Sequence, residues 1–165
     1  MTKDSFNLNE FYHSIYLAAP LSKVYSYAAS AEGLCKWFMG TVKYILPDGA
    51  EIESSQNASQ GYSYKWQWLE KDLEIEGKVL EAIEDNKFAF TFGISFVVSF
   101  SLESKGGRTL FTLHQKYAEG TEKNDFAHIN CCSCWVFFLT NLKSVIENGI
   151  DLRETAERDD TLVNR

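Results

Sequence analysis

The sequence predicts an α+β domain: a curved, seven-stranded antiparallel sheet covered by one long C-terminal helix, with two short helices between the first and second strands. Three observations predict it. Tyr62, Tyr64, Trp66 and Trp68 alternate with Ser63, Lys65 and Gln67, the period-2 signature of a strand with one aromatic face. Glu84-Asp85-Asn86 and Lys105-Gly106-Gly107 read as hairpin turns between closely spaced strand-like runs, which implies an antiparallel meander and not βαβ crossovers. The final apolar pattern has helical spacing and continues from about Asp125 to Asn148.

The elements follow in order. Phe11 to Leu17 alternates and ends at Ala18-Ala19-Pro20, which predicts a strand. Pro20 suits a first helical turn, and Leu21, Val24, Tyr25 and Ala28 recur at 3.6-residue spacing, so a helix is expected over roughly 20–30. After a break at Ser30, a second short helix is expected from Ala31 to Phe38, carrying Leu34, Trp37 and Phe38 and closed by Gly40. Thr41 to Leu46 reads as a strand stopped by the turn residues Pro47-Asp48-Gly49, and the polar stretch Glu51–Gln60 as a loose extension and loop. The aromatic strand Tyr62–Trp68 comes next, then Ile75–Ile83, Lys87–Phe92, Phe96–Leu102 and Thr109–Tyr117. In the last helix Asn124 or Asp125 can cap the N-terminus, and Gly149 is a natural C′ residue. Ile129, Cys132, Trp135, Leu139, Leu142 and Ile146 form its apolar stripe, widened by Val136, Phe138 and Val145. It would be roughly 36 Å long at 1.5 Å per residue, close to the full width of a globule of this size.

Length and composition bound the function. A chain of 165 residues fits one domain, here assigned to 1–153, with the charged segment 154–165 expected to be a mobile tail. Aromatics at 15% and hydrophobics at 45% exclude a disordered chain. A net charge of −7 argues against nucleic acid and anionic membrane surfaces, because both need a basic face. The N-terminal MTKDSFNLNEFYHS has no apolar signal-type region, and the richest apolar run, Cys134–Leu139, is too short to span a bilayer, so a cytoplasmic protein is expected. Without a secretion signal, the sequon Asn57-Ala58-Ser59 carries no weight.

Three of the four cysteines, Cys131, Cys132 and Cys134, are close together. His128, Cys131 and Cys132 share a helical face, and Cys35 could complete a zinc set, but paired Cys-x-x-Cys knuckles are missing. Reduced structural thiols are the expectation, with no metal and no cofactor.

The pieces Ala19-Pro20 with Lys23-Val24-Tyr25, Ala31-Glu32-Gly33-Leu34 with Lys36-Trp37-Phe38, and Trp135 before Leu139-Thr140-Asn141-Leu142-Lys143 and Glu147-x-Gly149 resemble a known family. It is the Aha1-type branch (activator of Hsp90 ATPase homologue, C-terminal domain) of the START/Bet v 1-like superfamily. The resemblance runs from about Phe11 to Arg153. It implies the helix-grip fold, which agrees with the strand count read from the residues. Members of the wider superfamily bind lipids, sterols, hormones or polyketides between helix and sheet, and a few are cyclases. The separate N-terminal domain with which the eukaryotic co-chaperone docks on Hsp90 does not fit in a chain of this length. No catalytic motif of the family is carried over.

The candidate site consists of positions predicted to face the gap between sheet and helix. These are Tyr64, Trp66, Trp68, Phe90, Phe92, Val98, Phe100, Phe111, Leu113 and Gln115 on strands, and Trp135, Phe138, Leu139 and Leu142 on the helix. Such a lining suits a small hydrophobic or aromatic ligand bound by area burial, with Gln115 and Tyr117 to orient it. For any one ring, ordinary core packing is the first reading. No histidine lies beside a Ser or Cys in a nucleophile motif, and His114 is expected to face away from the core. Glu81 is in phase with Val79 and Ile83, so it is either a buried carboxylate or, as favoured here, a solvated charge. The expected function is therefore hydrophobic-ligand binding without established catalysis. The alternatives are an Hsp90-associated or other protein-interaction module, including a homodimer through an exposed aromatic edge, and a polyketide cyclase-like or hydrolase-like enzyme.

Overall fold

A computed structural model describes residues 7–69, 73–156, 159 and 161–164. The strand β1 (Glu10–Leu17) leads into helices α1 (Leu21–Ala29) and α2 (Ala31–Cys35). Six strands follow: β2 (Thr41–Ile45), β3 (Ser63–Gln67), β4 (Glu74–Ile83), β5 (Lys87–Phe92), β6 (Phe96–Lys105) and β7 (Arg108–Tyr117). Helix α3 (Asp125–Asn148) ends the fold. All seven strands join one sheet in the order β1-β7-β6-β5-β4-β3-β2 with antiparallel neighbours throughout. The chain from β2 to β7 is thus a continuous meander, and β1 closes onto its last strand. This is the predicted helix-grip architecture.

Turn chemistry fixes the register. Asp85 takes φ 59° between β4 and β5, and Gly106 and Gly107 take φ 59° and 77° between β6 and β7. These are the left-handed conformations a tight hairpin needs. A bulge between Val79 and Glu81 shifts the phase of β4. Val79 is buried, while Ile83 is exposed and Glu81 pairs with Lys87 at 2.6 Å on the surface. Of the two readings of Glu81, the solvated one is the structure's.

The helices are set by capping. Ser30 ends α1 and caps α2: its Oγ donates to Ser26 O at 2.7 Å and accepts from Gly33 N at 3.0 Å. The chain turns so tightly there that a Cβ on Gly33 would lie 2.3 Å from Ser26 O and 2.5 Å from Tyr27 Cα. Gly33→Ala is therefore expected to destabilise the fold by about 1–3 kcal/mol in urea titration, because the clash is with backbone that cannot rotate away. Asn124 Oδ1 accepts from Ala127 N at the start of α3, and Gly149 ends it at φ 70°.

Two expectations need correction here. The second short helix stops at Cys35 with Lys36 as its C-cap, not at Phe38, and Gly40 does not close it. Instead the amides of Trp37, Phe38 and Met39 all converge on Leu34 O, and this coiled turn buries all three side chains, which no helix face could do. In α3, Ile129 and Val136 face solvent and not the sheet, whereas His128 and Asn141 are buried. The helix is 24 residues long and apolar enough by length and composition alone to cross a membrane, a test that a helix packed in a protein core also passes. Here its inner face packs on the sheet through Trp135, Phe138, Leu139, Leu142 and Ile146.

The residues after α3 fold back onto the turn that follows α2. Asn141 Nδ2 donates to Trp37 O (2.8 Å) and Asp151 Oδ1 (3.0 Å), and Asn141 Oδ1 accepts from Leu152 N (2.7 Å). Arg153 donates to Met39 O (3.0 Å) and Cys35 O (2.8 Å) and is ion-paired with Asp151. In the segment expected to be a mobile tail, Glu154 N donates to Asn164 O, and residues 157, 158, 160 and 165 lie outside the described residues.

Candidate functional site

The gap between sheet and helix is filled by rings. Phe38 enters it from the turn after α2. Its centroid lies 4.6 Å from Trp135, 4.9 Å from Phe138, 5.3 Å from Trp68, 6.1 Å from Trp66 and 6.3 Å from Phe92. These separations are those of directly packed aromatic pairs. Trp37 stacks beside it at 5.3 Å and anchors its Nε1 on Tyr27 O at 2.9 Å. Behind Phe38, Trp66 packs on Phe90 at 4.9 Å and on Tyr64 at 4.1 Å, and Phe100 packs on Phe111 at 5.0 Å.

Every predicted site residue lies on the inner side of the sheet or helix. Tyr64, Trp66, Phe90, Phe92, Val98, Phe100, Phe111, Leu113, Gln115, Trp135, Phe138, Leu139 and Leu142 are all buried in one continuous core, and only Trp68 is half-buried. Gln115 is already engaged, since its Oε1 accepts from Trp135 Nε1 at 2.9 Å. Tyr117 is engaged as well: its hydroxyl accepts from Asn124 N, and its ring stacks on His128. Sequence reasoning missed Trp37 and Phe38 as gap residues. The available signal was their adjacency, because two neighbouring large rings cannot both be buried on one regular helix.

Trp68 and Phe92 mark the place where the core opens. With Leu73, Ile75, Ile94, Phe96 and Cys131 they line an apolar groove of about 280 Å³ at the β5–β6 turn. Ile94, at the tip of that turn, is 93% exposed. Trp68 Nε1 is buried and has no hydrogen-bond partner among the described residues. A groove of this kind accepts an apolar group.

The thiols are not set up for chemistry. Burial pushes Cys131 up to about 11, although a hydrogen bond from Gln115 opposes the rise. Burial also raises Cys132, whose Sγ lies 3.5 Å from His13 Nε2. Both are neutral thiols at neutral pH and poor nucleophiles. His128 packs against Phe11, Phe96 and Tyr117, and among the described residues no three His, Cys, Asp or Glu side chains converge for a metal ion. His114 faces outward, as expected, and pairs with Glu10 at 2.7 Å.

A family model described as "Activator of Hsp90 ATPase homolog 1-like protein" matches residues 18–147. The chain belongs to the Aha1-like family. Its architecture places it with the START/Bet v 1-like superfamily, with the fold of the Aha1 C-terminal domain. Similar solved structures include protein SSP2350 of Staphylococcus saprophyticus, at TM-score 0.68 and 17% identity over 87% of this chain and 96% of that one. The Aha1 dimer of Colwellia psychrerythraea matches at TM-score 0.65 and 21% identity, over 85% and 97%. Protein BH1534 of Bacillus halodurans matches at 0.64 and 19%, over 84% and 96%. No curated protein matches the chain.

The family motif at the end of this Aha1-like domain has a structural role. Lys143 donates to Tyr16 O and Glu147, and Glu147 accepts from Ala18 N at 2.7 Å, so both pin α3 to β1. These bonds hold Glu147 below the usual carboxylate range. Burial would raise Asp151, but the bonds from Arg153 and Asn141 outweigh it and hold the carboxyl low. A carboxyl depressed on folding adds stability above its unfolded value, near 4, and loses it as pH falls through its folded value. Denaturant midpoints should therefore hold from pH 7 to about 5 and fall steeply below about 4. Asp151→Asn should lower the pH 7 midpoint and flatten that acid limb.

Proposed function

We propose that this domain is a protein-interaction module of the Hsp90-associated kind and makes its contact through the apolar groove at the β5–β6 turn. The observation that carries the reading is Phe38. With that ring seated against Trp135 and Phe138, the space in which a hydrophobic ligand was expected is occupied by the chain itself. Accessible apolar surface lies instead outside the core, in the groove around Leu73, Ile75 and Ile94. Membership of the Aha1-like family supports a chaperone as the partner.

A pull-down with an Hsp90-type chaperone and an ATPase assay test this. Binding with a several-fold change in ATPase rate is expected, and Ile94→Asp should abolish it without lowering the melting temperature. An unchanged ATPase and no capture would overturn the reading. The groove also keeps a second reading open, because it is apolar and large enough for one small aromatic molecule. Thermal shift against a library of lipids and small aromatics separates the two: a saturable rise that is lost in Ile94→Asp would favour the small ligand.

A further inference from the structure

We propose that the outward face of α3 is the interface of a symmetric dimer, in which the α3 helices of two copies of this chain pack antiparallel. From Phe126 to Leu142 the helix contains no Asp, Glu, Lys or Arg, in a chain of net charge −7. Its inner face accounts for only part of that composition. Phe126 is 81% exposed and Val136 54%, and Ile129, Ser133 and Thr140 lie between and beyond them on the same outward side. At 3.6 residues per turn these positions form one stripe about 21 Å long. Elsewhere the solvent side of the fold carries ion pairs, such as Lys65 with Glu76 on β3 and β4 and Lys87 with Glu81 on β5 and β4. An uncharged stripe on an acidic molecule is a face that a second copy can approach without like-charge repulsion.

The charges that bound the stripe set the orientation. Asp125 and Lys143 are separated by about five full turns and so occupy the same flank of α3. They lie at equal distances from position 134. A two-fold axis near Ser133 and Cys134 brings Asp125 of one copy opposite Lys143 of the other, twice over. A parallel pair would instead set Asp125 against its own copy and Lys143 against its own. Lys143 already holds Glu147 at 2.6 Å, so Asp125 would join an existing pair at the rim and contribute register more than affinity. Ser133 at the centre is small enough for the two backbones to approach closely. A strip of this length and about one helix width is below the roughly 800 Å² per partner of a standard interface, so the dimer is expected to be of modest affinity.

Sedimentation of the full chain from low to high micromolar concentration should show the mass rising from 18.8 kDa toward twice that value. Val136→Glu should hold it at the monomer mass with an unchanged melting temperature, since the side chain is solvent-facing. In a Cys134→Ser background, Ser133→Cys should form an intermolecular disulfide under mild oxidation many-fold faster than the exposed control Ser55→Cys. A monomer at every concentration with cross-linking no faster than the control would overturn the proposal. So would a dimer that Val136→Glu leaves intact, or a monomer that floats with neutral lipid vesicles through Phe126 and Val136.

Discussion

Replacing Phe38 by alanine is expected to cost about 3–5 kcal/mol of unfolding free energy, the range for truncating a large ring in a close-packed core. For a chain of this length that corresponds to a fall of roughly 6–20 °C in melting temperature. The site cannot collapse to recover the loss. Phe38 touches rings from the sheet (Trp66, Trp68, Phe92) and from α3 (Trp135, Phe138), and those elements are held apart by the rest of the fold. The variant therefore gains a void lined by indoles and phenyls. Such voids stay dry and take up small aromatics. Benzene or indole should raise the melting temperature of Phe38→Ala and leave that of the parent chain unchanged. A parent chain that responds equally would mean that the gap is not closed by this residue, and hydrophobic-ligand binding between helix and sheet would regain its place as the leading reading.

The regular elements of this fold were legible because local chemistry decides them. The alternation of Tyr64 and Trp66, the left-handed turns at Asp85 and Gly106-Gly107, and the Asn124 and Gly149 caps each act within a few residues. The inward rings were legible for the same reason: strand phase assigns a face. Two things were not legible. The first is the content of the gap. Strand and helix patterns identify which walls meet, but Phe38 comes from a turn with no periodicity, so nothing local announces where its ring goes. The second is the orientation of α3. Amphipathic reasoning needs a polar face as well as an apolar one, and this helix has almost no charge to mark the outside. Apolar spacing alone therefore points Ile129 and Val136 inward, where the structure exposes them, and does not mark Asn141 as buried. Its partners, Trp37 O, Asp151 and Leu152 N, are fixed by the return of the chain after α3 and by no short-range pattern.

That return explains why the second large effect is expected far from the groove, at Arg153. Its side chain is only 6% exposed, and its guanidinium donates to Met39 O and Cys35 O, the carbonyls that flank Trp37 and Phe38. Truncating Arg153 to alanine removes two charge-assisted bonds, worth about 1.5–3 kcal/mol each when intact, and leaves two carbonyls with water as their only replacement partner. Asp151 is 40% exposed and can rehydrate, which limits the loss. A net cost of about 2–4 kcal/mol is expected. Arg153→Lys should recover little of it, because one ammonium cannot reproduce a planar fork that reaches two carbonyls and a carboxylate together. The position of the clamp makes a sharper claim than the size of its effect. If Arg153 holds the turn that seats Phe38, the alanine variant should loosen the plug before it unfolds. Amide exchange at residues 36–39 should then accelerate more than exchange in β6 and β7, and the variant should begin to respond to benzene as Phe38→Ala does. Uniform acceleration across the sheet, with no response to benzene, would mean that Arg153 contributes only global stability and that the turn holds Phe38 unaided.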